Sequence, residues 1–337
     1  MICTGDKRLE LRSADPGELA RDKPDAHFEW IGDEGVRGRC SLWWNGIPAW
    51  NGHRVGMIGH YSASREGAGG FLDFACWQLR EQGCTLAVGP MDGSTWRSYR
   101  LITSFGDEPR FFLEPDNPPE WVEHFLRSGF EPLARYFSAL NNDLTRTDPR
   151  VVRRIARLTQ TGITLRPIRG EAFEEDLRRI FAVSKTVFRG NLLYADPDEA
   201  EFLDMYRPLL GKVPLELILL SEHAGRPVGF VFALPDLNEH WRHEPQISLA
   251  QGEGRPTRRG PDRYKTVIVK TLAALPHRQY AGLGQWLLAE VQRRAHELGF
   301  SRAIHALVRD SGHLRRISSR YAERFREYTL FARVLSK

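Results

Sequence analysis

The residues with the clearest chemical potential form a glycine turn, "HRQYAGLGQ" (residues 277–285), in which Gln279, Gly282 and Gly284 follow the spacing Q-x-x-G-x-G. Glycines tolerate positive φ and let a ligand approach the backbone closely. A helix that begins near Leu283 would point its free N–H groups and the positive end of its dipole into the turn. The turn therefore predicts a phosphate or pyrophosphate cradle, although a G-x-G between strand and helix also occurs as a plain connection.

The elements around this turn must hold it in place. The run "YKTVIVKTLAAL" (264–275) predicts a strand, and "RAIHALV" (302–308) predicts a second strand after the helix. One face of the helix is apolar, at Leu283, Leu287, Val291, Ala295 and Leu298. The missing third glycine and the hairpin-like flanking strands argue against a dinucleotide-binding fold. From residue 162 onward we expect the order β-α-α-β-β-β-α-β-α-β, in a mixed sheet with helices on both faces.

The strand "TVIVKTLAALP", the turn, the helix ending "HELGF" and the strand after it resemble the GCN5-related N-acetyltransferase (GNAT) family, whose Q/R-x-x-G-x-G/A motif is matched without a gap. The resemblance implies an α/β (α+β mixed sheet) fold, with a central, mostly antiparallel sheet flanked by helices. It implies that Gln279 and the backbone amides that follow it bind the pyrophosphate of acetyl-CoA, through Tyr280, Ala281, Gly282, Leu283, Gly284 and Gln285. It also implies that Leu272, Ala273 and Ala274 pair with the pantetheine amides like an extra strand.

A weaker copy of this unit lies about 215 residues earlier. The stretch "REGAGGFLDFACWQLREQGCTLAVGP" (65–90) runs through a glycine turn, an amphipathic helix, a glycine and a buried strand. We therefore predict a diverged GNAT-like domain at 1–145, a basic linker helix at 146–161 and an acetyltransferase domain at 162–337. Ala68 stands where the first motif glycine should be, which indicates that this copy does not bind CoA productively. A chance likeness of two strand–helix–strand units is the alternative.

Acetyl transfer to an amine needs a base, donors for the carbonyl oxyanion and an acid for the leaving thiolate. Members of the family often keep a glutamate on the strand before the turn, and this strand has no carboxylate. His305 is a candidate catalytic base by its side-chain chemistry, with a core-edge histidine as the alternative. Glu216 is a more remote candidate. The resemblance makes Tyr321 the candidate thiolate acid, with a packing role as the alternative.

Aromatic loops in the first half suit a recognition surface for an acceptor, or else cover the edge of the sheet. The residues concerned are Trp96, Tyr99, Phe111 and Phe112. In a long polar loop of the second half, Arg258 and Arg259 could reach a phosphate or an acidic acceptor, or simply be solvated.

Composition limits the class of protein. The 337 residues are 41% hydrophobic and 27% charged, with a net charge of +5. Lys and Arg are spread along the chain, so we expect no nucleic-acid partner. Apolar runs are too short for a membrane span, and the N-terminus has no signal-like core, so we expect a cytoplasmic protein. Four scattered cysteines (Cys3, Cys40, Cys76 and Cys84) argue against a metal site or a disulfide framework.

These patterns predict an acyl-CoA-dependent N-acyltransferase that uses acetyl-CoA as co-substrate, with no metal, and a primary amine of a small molecule or peptide as acceptor. A longer-acyl or aminoacyl transferase on the same doubled fold stays open as an alternative. So does a non-catalytic sensor that binds CoA, because the strand carboxylate is missing. The acceptor and the oligomeric state stay open, a homodimer being one option.

Overall fold

The computed structural model describes residues 15–32, 35–65, 67–239 and 264–335. In the first half, the strands are β1 (Ala26–Gly32), β2 (Gly35–Trp43), β3 (Val55–Ala63), β4 (Leu86–Gly89), β5 (Leu101–Ser104) and β6 (Glu131–Asn141). The helices there are α1 (Pro16–Asp22), α2 (Ala68–Glu81) and α3 (Glu120–Arg127). Helix α4 (Pro149–Gln160) follows β6.

In the second half, the strands are β7 (Ile163–Pro167), β8 (Ile218–His223), β9 (Arg226–Pro235), β10 (Thr266–Ala274), β11 (Arg302–Arg309) and β12 (Glu323–Val334). The helices are α5 (Phe173–Phe188), α6 (Glu199–Tyr206), α7 (Leu283–Glu297) and α8 (His313–Ser318). The order from β7 to β12 is the predicted β-α-α-β-β-β-α-β-α-β. The expected mixed, mostly antiparallel sheet flanked by helices is confirmed.

One 12-stranded sheet runs through both halves in the order β1-β2-β3-β4-β12-β6-β11-β10-β9-β8-β7, with β5 paired to β12. Two of its strand pairs are parallel, β3 with β4 and β10 with β11. Each parallel pair is joined through an amphipathic helix, α2 or α7, so the two stretches that looked alike in sequence form the same β-α-β unit.

The last strand of each half lies in the part of the sheet that belongs to the other half. Strand β6 pairs with β11, and β12 pairs with β4 as well as with β6. Beside this exchange, the buried Arg326 of β12 donates from Nη1 to Glu114 Oε2 at 2.6 Å. Glu114 belongs to the loop after β5, so this ion pair fixes a first-half loop to the last strand of the second half.

Apolar side chains cover both faces of the sheet. Along β9, Phe230, Phe232 and Leu234 pack under α5 and α6, while Val231 and Ala233 pack under α7. This alternation is the expected period of a strand buried on both faces. We call the side of α5 and α6 the α5 face, and the side of α7 the α7 face.

Local capping explains where several helices begin and end. Helix α4 starts at Pro149, and the Asp148 carboxylate accepts from the backbone N–H of Arg150 at 2.8 Å. Gly83, just after α2, has φ +79°, a left-handed conformation that commonly ends a helix. Helix α8 begins at His313 after Gly312, and no described side chain caps it.

Strand β5 lies inside the aromatic, turn-rich segment 92–119, and it pairs with β12. Cys40, Cys76 and Cys84 are buried free thiols, and Cys3 lies outside the described residues. No helix in the described part of the chain combines the length and apolar composition that crossing a membrane requires.

Candidate functional site

Strands β10 and β11 separate partway along their length. They pair in parallel only from Thr266 to Val269, opposite Arg302 to His305. Just beyond this point Lys270 is an extra residue in the pairing of β10 with β9. Such a bulge bends the strand and increases its twist. The following residues, Leu272, Ala273 and Ala274, remain paired with β9 on one side. On the other side, the edge of β10 faces the gap between the strands.

The glycine turn lies at the open end of this gap. Arg278–Tyr280 forms a single 3₁₀ turn, and Gly282 has φ +96°, a left-handed conformation that favours glycine, immediately before α7. The amides of Tyr280, Ala281 and Gln285 donate to carbonyls within the turn. Among the described residues, no protein acceptor is recorded for the amides of Gly282, Leu283 and Gly284. These three donors surround the N-terminus of α7, where an anion is stabilised.

A side chain at Gly284 would crowd the same region. A Cβ atom there would lie 3.1 Å from Leu272 Cδ2 and 3.5 Å from Ile317 Cδ1. The second motif glycine therefore lets the start of α7 approach β10 and α8 closely. The narrow approach brings the free amides to the end of the gap between β10 and β11.

A row of arginines on α4 lies beside the turn. Arg150, Arg153, Arg154 and Arg157 are spaced so that they share one side of the helix, and all line the same cavity as the turn. Arg154 donates to the side chain of Gln285, and Arg157 donates to the carbonyl of Ala281. None of the four forms an ion pair with another described residue, so their charges are available to an anion at the turn.

The gap opens into a cavity of about 2290 Å³. On the α7 face it is lined by the turn, α4 and α8, and on the α5 face by residues such as Phe188, Met205 and Tyr206. The cavity therefore connects the two faces of the sheet through the opening between β10 and β11. Eight of the ten predicted cofactor-binding residues line it: Leu272, Ala273, Ala274, Tyr280, Ala281, Gly282, Gly284 and Gln285. Gln279 and Leu283 do not.

His305 lies on the cavity wall but is locked in hydrogen bonds. Its side chain is only 3% exposed, with Nδ1 2.9 Å from Ser318 Oγ and Nε2 3.3 Å from Gln292 Oε1. Burial lowers the pKa of His305 to about 4, so the ring is neutral at physiological pH. A neutral ring with its proton on Nε2 satisfies both contacts, and its other nitrogen then accepts from Ser318. This arrangement offers no free lone pair and favours the core-edge alternative for His305.

The other predicted catalytic residues lie away from the cavity lining. Tyr321 is 5% exposed and packs in the apolar cluster under α7, and its hydroxyl has no hydrogen-bond partner among the described residues. Glu216 lies in a short 3₁₀ turn, Leu215–Leu217, before β8. Neither position supports the predicted acid or base role. Arg258 and Arg259 lie outside the described residues.

On the α5 face the cavity wall is formed partly by the first half. Trp96 and Tyr99 line it, whereas Phe111 is buried in the core and Phe112 packs against that core. Two of the four aromatics therefore face the cavity and two belong to the core, and acceptor recognition by Trp96 and Tyr99 stays a prediction. Trp96 also connects the halves, since its indole N–H donates to the carbonyl of Ala195 at 3.1 Å.

Carboxylates on this wall are paired with cations. Asp22 contacts Arg21 and Arg97, and Glu201 also contacts Arg97. Burial raises the pKa of Asp22, but hydrogen bonds from His60 and Arg21 and the charge of Arg97 outweigh it and lower the pKa to about 2. Asp22 is thus an ionised carboxylate that connects α1 to β3, since His60 Nε2 lies 3.0 Å from Asp22 Oδ2.

The corresponding turn and gap of the first half are filled by protein. A Cβ atom on Gly67 would overlap with the ring of Trp30. Strands β3 and β4 also stop pairing after Met57 and Val88, but the segment after β4 closes the gap. There Met91 N–H donates to Ile58 O at 2.8 Å, and Asp92 Oδ1 accepts from His60 N–H at 2.7 Å.

Comparison with known proteins supports the fold. No family model matches the chain. The curated protein YghO of Escherichia coli K12 is 24% identical over 165 residues, which are 48% of this chain and 41% of YghO, so the match spans less than half of that relative. The GCN5-related glucosamine N-acetyltransferase region of a fungal multi-domain β-N-acetylglucosaminidase superposes with a TM-score of 0.53 at 15% identity, over 94% of this chain and 34% of that one.

A GCN5-related N-acetyltransferase from Anabaena variabilis superposes with a TM-score of 0.50 at 11% identity, over 95% of this chain and 65% of that one. Both superpositions cover nearly the whole of this chain. They show that its two halves together adopt the fold of these proteins, and they leave its activity to be argued from the site itself.

The sequence did not single out the arginine row of α4 as part of the site. Its signal was present in the spacing of Arg150, Arg153, Arg154 and Arg157, which marks one side of a helix. The spacing does not reveal what this side of α4 faces. That side faces the turn because α4 packs against α7.

Proposed function

We propose that this chain, which has the fold of the GCN5-related N-acetyltransferases, is an acyl-CoA-dependent N-acyltransferase that transfers an acetyl group from acetyl-CoA to a primary amine. The observation that carries the proposal is the gap between β10 and β11, with free amides and an arginine row at one end and a cavity through the sheet at the other. The amine attacks the thioester carbonyl, the C–N bond forms, the C–S bond breaks, and the amine proton leaves with the CoA thiol or to solvent.

Each part of the gap matches one part of the donor. The edge of β10 at Leu272 to Ala274 would pair with the amides of the pantetheine arm, as an added strand does. The amides of Gly282, Leu283 and Gly284 and the start of α7 would bind the pyrophosphate. The arginines of α4 add positive charge beside these groups, which suits a donor that carries several phosphate charges.

The residues at the gap act chiefly by position. The opening between β10 and β11 connects the α7 face of the sheet with the α5 face. The donor and the acceptor would therefore approach the reacting carbon from opposite faces. Holding the two reactants in that geometry can itself lower the barrier by several kcal/mol, roughly 7–11 in the best intramolecular cases. The locked ring of His305 would contribute by fixing β11 to α7 through Gln292 and to α8 through Ser318.

A non-catalytic CoA sensor is the second candidate. The observation that favours it is the lack of a carboxylate on β10, together with the engagement of both ring nitrogens of His305. Such a protein would bind acetyl-CoA at the same turn and never release the thiol. Longer acyl groups on the donor are a matter of chain length within the same reaction, and a panel of acyl-CoA donors addresses them.

Calorimetry with acetyl-CoA tests the cradle. We expect sub-millimolar binding of acetyl-CoA by the wild type and loss of binding in Gly282→Trp. A Cβ atom at this position would lie 2.9 Å from Arg154 Cδ, and the positive φ is unfavourable for a residue with a side chain. Gly69→Trp is the matched control in the first-half turn, where nothing lies within 4 Å of the Cβ position. Thermal melting of each variant checks that it is folded.

A thiol-release assay across amines, amino acids and peptides then tests turnover. Release of CoA with any acceptor supports the transferase. Binding of acetyl-CoA with no release across the panel would favour the sensor, and no binding by the wild type would reject both.

A further inference from the structure

Arg100 is a buried cation on the wall of the cavity. Its side chain is 7% exposed, and it forms no ion pair within the described ranges of the chain. The guanidinium carbon lies 3.8 Å from the ring centroid of Tyr99 and 4.1 Å from that of Tyr136. The two ring centroids are 5.8 Å apart and the ring planes are nearly perpendicular, so the rings contact the guanidinium from two different directions and stabilise its charge. Buried charges are nevertheless normally paired, and the described part of the chain offers Arg100 no counter-charge.

The edge of this guanidinium still has donors to offer. Nε donates to Tyr99 O at 3.1 Å, and Nη1 donates to Leu307 O at 3.4 Å. An arginine has five N–H donors in a planar fork, so three of them have no partner among the described residues. The backbone of Arg100 has φ +76°, an uncommon conformation for a residue with a side chain. Surrounding packing therefore holds this fork in place, aimed along the cavity wall.

A second arginine approaches the same place. Arg309 of β11 is the direct partner of Tyr136 of β6 and lines the cavity. Its Nε is buried with no hydrogen-bond partner, and no ion pair is recorded for it in the described part of the chain. The irregular pairing between His305 and Val308 turns Arg309 to the side of Tyr136. Both cations therefore converge on Tyr136, next to the gap and on the face opposite α7.

We infer that the acceptor amine carries a carboxylate, which Arg100 binds through the free edge of its guanidinium with Arg309 beside it. The inference rests on the proposed transferase function and names the class of its second substrate as amino acids or peptides with a free carboxylate. A carboxylate is flat and accepts two parallel N–H bonds, which suits the planar fork of a guanidinium with free N–H donors.

The position of the two arginines suits an acceptor better than the donor. The phosphates of acetyl-CoA have their own cations on α4, on the α7 face. Strand β11 pairs with β6 along one edge and borders the gap along its other edge. From the spacing of strands in a sheet, Tyr136 of β6 is therefore roughly 5–10 Å from the path of the thioester. That distance lets a small molecule place its amine at the gap and its carboxylate at Arg100.

Matched pairs of ligands test the inference. The probes are N-acetylated α-, β- and γ-amino acids and the corresponding carboxamides, titrated by ligand-observed NMR in the presence of CoA. We expect the acids that bind to do so about tenfold to a hundredfold more tightly than their amides, because the amide loses a hydrogen bond between two charged groups. Arg100→Gln should abolish this preference, and Arg100→Lys should keep only part of it.

Two further variants separate binding from folding. Arg309→Gln should weaken the preference while the Arg100 side chain itself is kept. Arg153→Gln should weaken CoA binding and leave the acid-to-amide ratio unchanged. Thermal melting of each variant shows whether it is folded. If Arg100→Gln does not fold, the acid-to-amide ratio of Arg309→Gln still tests the inference.

Three results would overturn the inference: equal binding of acids and amides by the wild type, no binding by any acid, or an undiminished preference in Arg100→Gln and Arg309→Gln. Tighter binding of N-acetylphosphoethanolamine than of every acid would also reject a carboxylate in favour of a phosphate. Failure of the transferase proposal would look different from failure of this inference. A protein that binds acids more tightly than amides but never releases CoA would have the carboxylate site without the transferase activity.

Discussion

The indole ring of Trp30 occupies the space that any side chain on Gly67 would need. Gly67 belongs to the first-half glycine turn, the counterpart of the turn that contains Gly282. In the second half, the space beside the turn is a cavity bordered by arginines, and in the first half it is filled by an aromatic ring.

We therefore predict that one acetyl-CoA binds per chain, and that Trp30→Ala does not create a second site. Removing the indole opens the turn, but Met91 and Asp92 still bond to the edge of β3 and close the gap that a pantetheine arm would need. Calorimetric stoichiometry measures this directly. Trp77→Ala, which removes a half-exposed tryptophan from α2, is the control. A stoichiometry of two for Trp30→Ala would show that the first gap can open.

The second prediction concerns the arginines of α4. The double variant Arg150→Gln, Arg153→Gln removes two exposed charges whose side chains form no recorded bond to the described residues. Each exposed ion pair is worth about 0.2–1 kcal/mol, so the Kd for acetyl-CoA should rise by roughly 2- to 30-fold. The difference from wild type should shrink in high salt, because screening already weakens the lost attraction.

Arg127→Gln on α3 is the matched control for that charge change. Arg127 is exposed, pairs only with Glu123 among the recorded contacts, and is not in the cavity lining. Its Kd for acetyl-CoA should equal that of the wild type. An unchanged Kd in the double variant, with the same titration, would show that α4 does not contribute to donor binding.

The third prediction uses the pKa of His305, which burial lowers from 6.5 to about 4. The unfolded chain binds a proton at this residue at a higher pH than the folded chain. The stability contribution is therefore complete above about pH 6.5, and it is lost as the pH falls to about 4. The free energy of unfolding of the wild type should decrease over that range by up to about 3 kcal/mol more than that of His305→Gln.

Urea unfolding at a series of pH values gives this difference, since the other titrating groups are common to both proteins. The same variant separates the two interpretations of His305. A positioning residue leaves kcat within a few-fold of wild type, whereas loss of a general base lowers it by about 10²–10⁴-fold. A fall of that size would restore the catalytic assignment made from the sequence.

The fourth prediction concerns Tyr321. Its hydroxyl is buried, forms no hydrogen bond with a described residue and is outside the cavity lining, so Tyr321→Phe removes a polar group that these residues leave unsatisfied. We expect the free energy of unfolding to stay equal or to rise by about 1 kcal/mol, with kcat unchanged. Steady-state kinetics and thermal melting give both values. A large drop in kcat with intact stability would instead identify the phenol as the acid for the thiolate.

Local sequence signals predicted much of the fold. Glycines at helix ends, Asp148 with Pro149 at the start of α4 and the apolar periodicity of α7 each depend on neighbouring residues. For that reason the β-α-α-β-β-β-α-β-α-β order of the second half and the turn at Gly282 could be derived without the structure.

The remaining parts depend on contacts between distant segments. Neither the pairing of β5 with β12 nor the exchange of β6 and β12 leaves a local pattern. The same is true of the candidate site, where Arg100, Tyr136 and Arg309 come from three separate parts of the chain. His305 was named from side-chain chemistry alone, and only its contacts with Gln292 and Ser318 reveal a neutral, engaged ring.

The exchange of strands also has a consequence for how the chain reaches its native state. The free edge of β4 at Gly89 finds its partner at Phe331, about 240 residues later, so the first half cannot complete its sheet before most of the second half is present. Until then β4 presents an unpaired apolar edge, the kind of surface that aggregates or recruits a chaperone. Cutting the chain near residue 145 would separate β4 from its partner β12, and β11 from its partner β6.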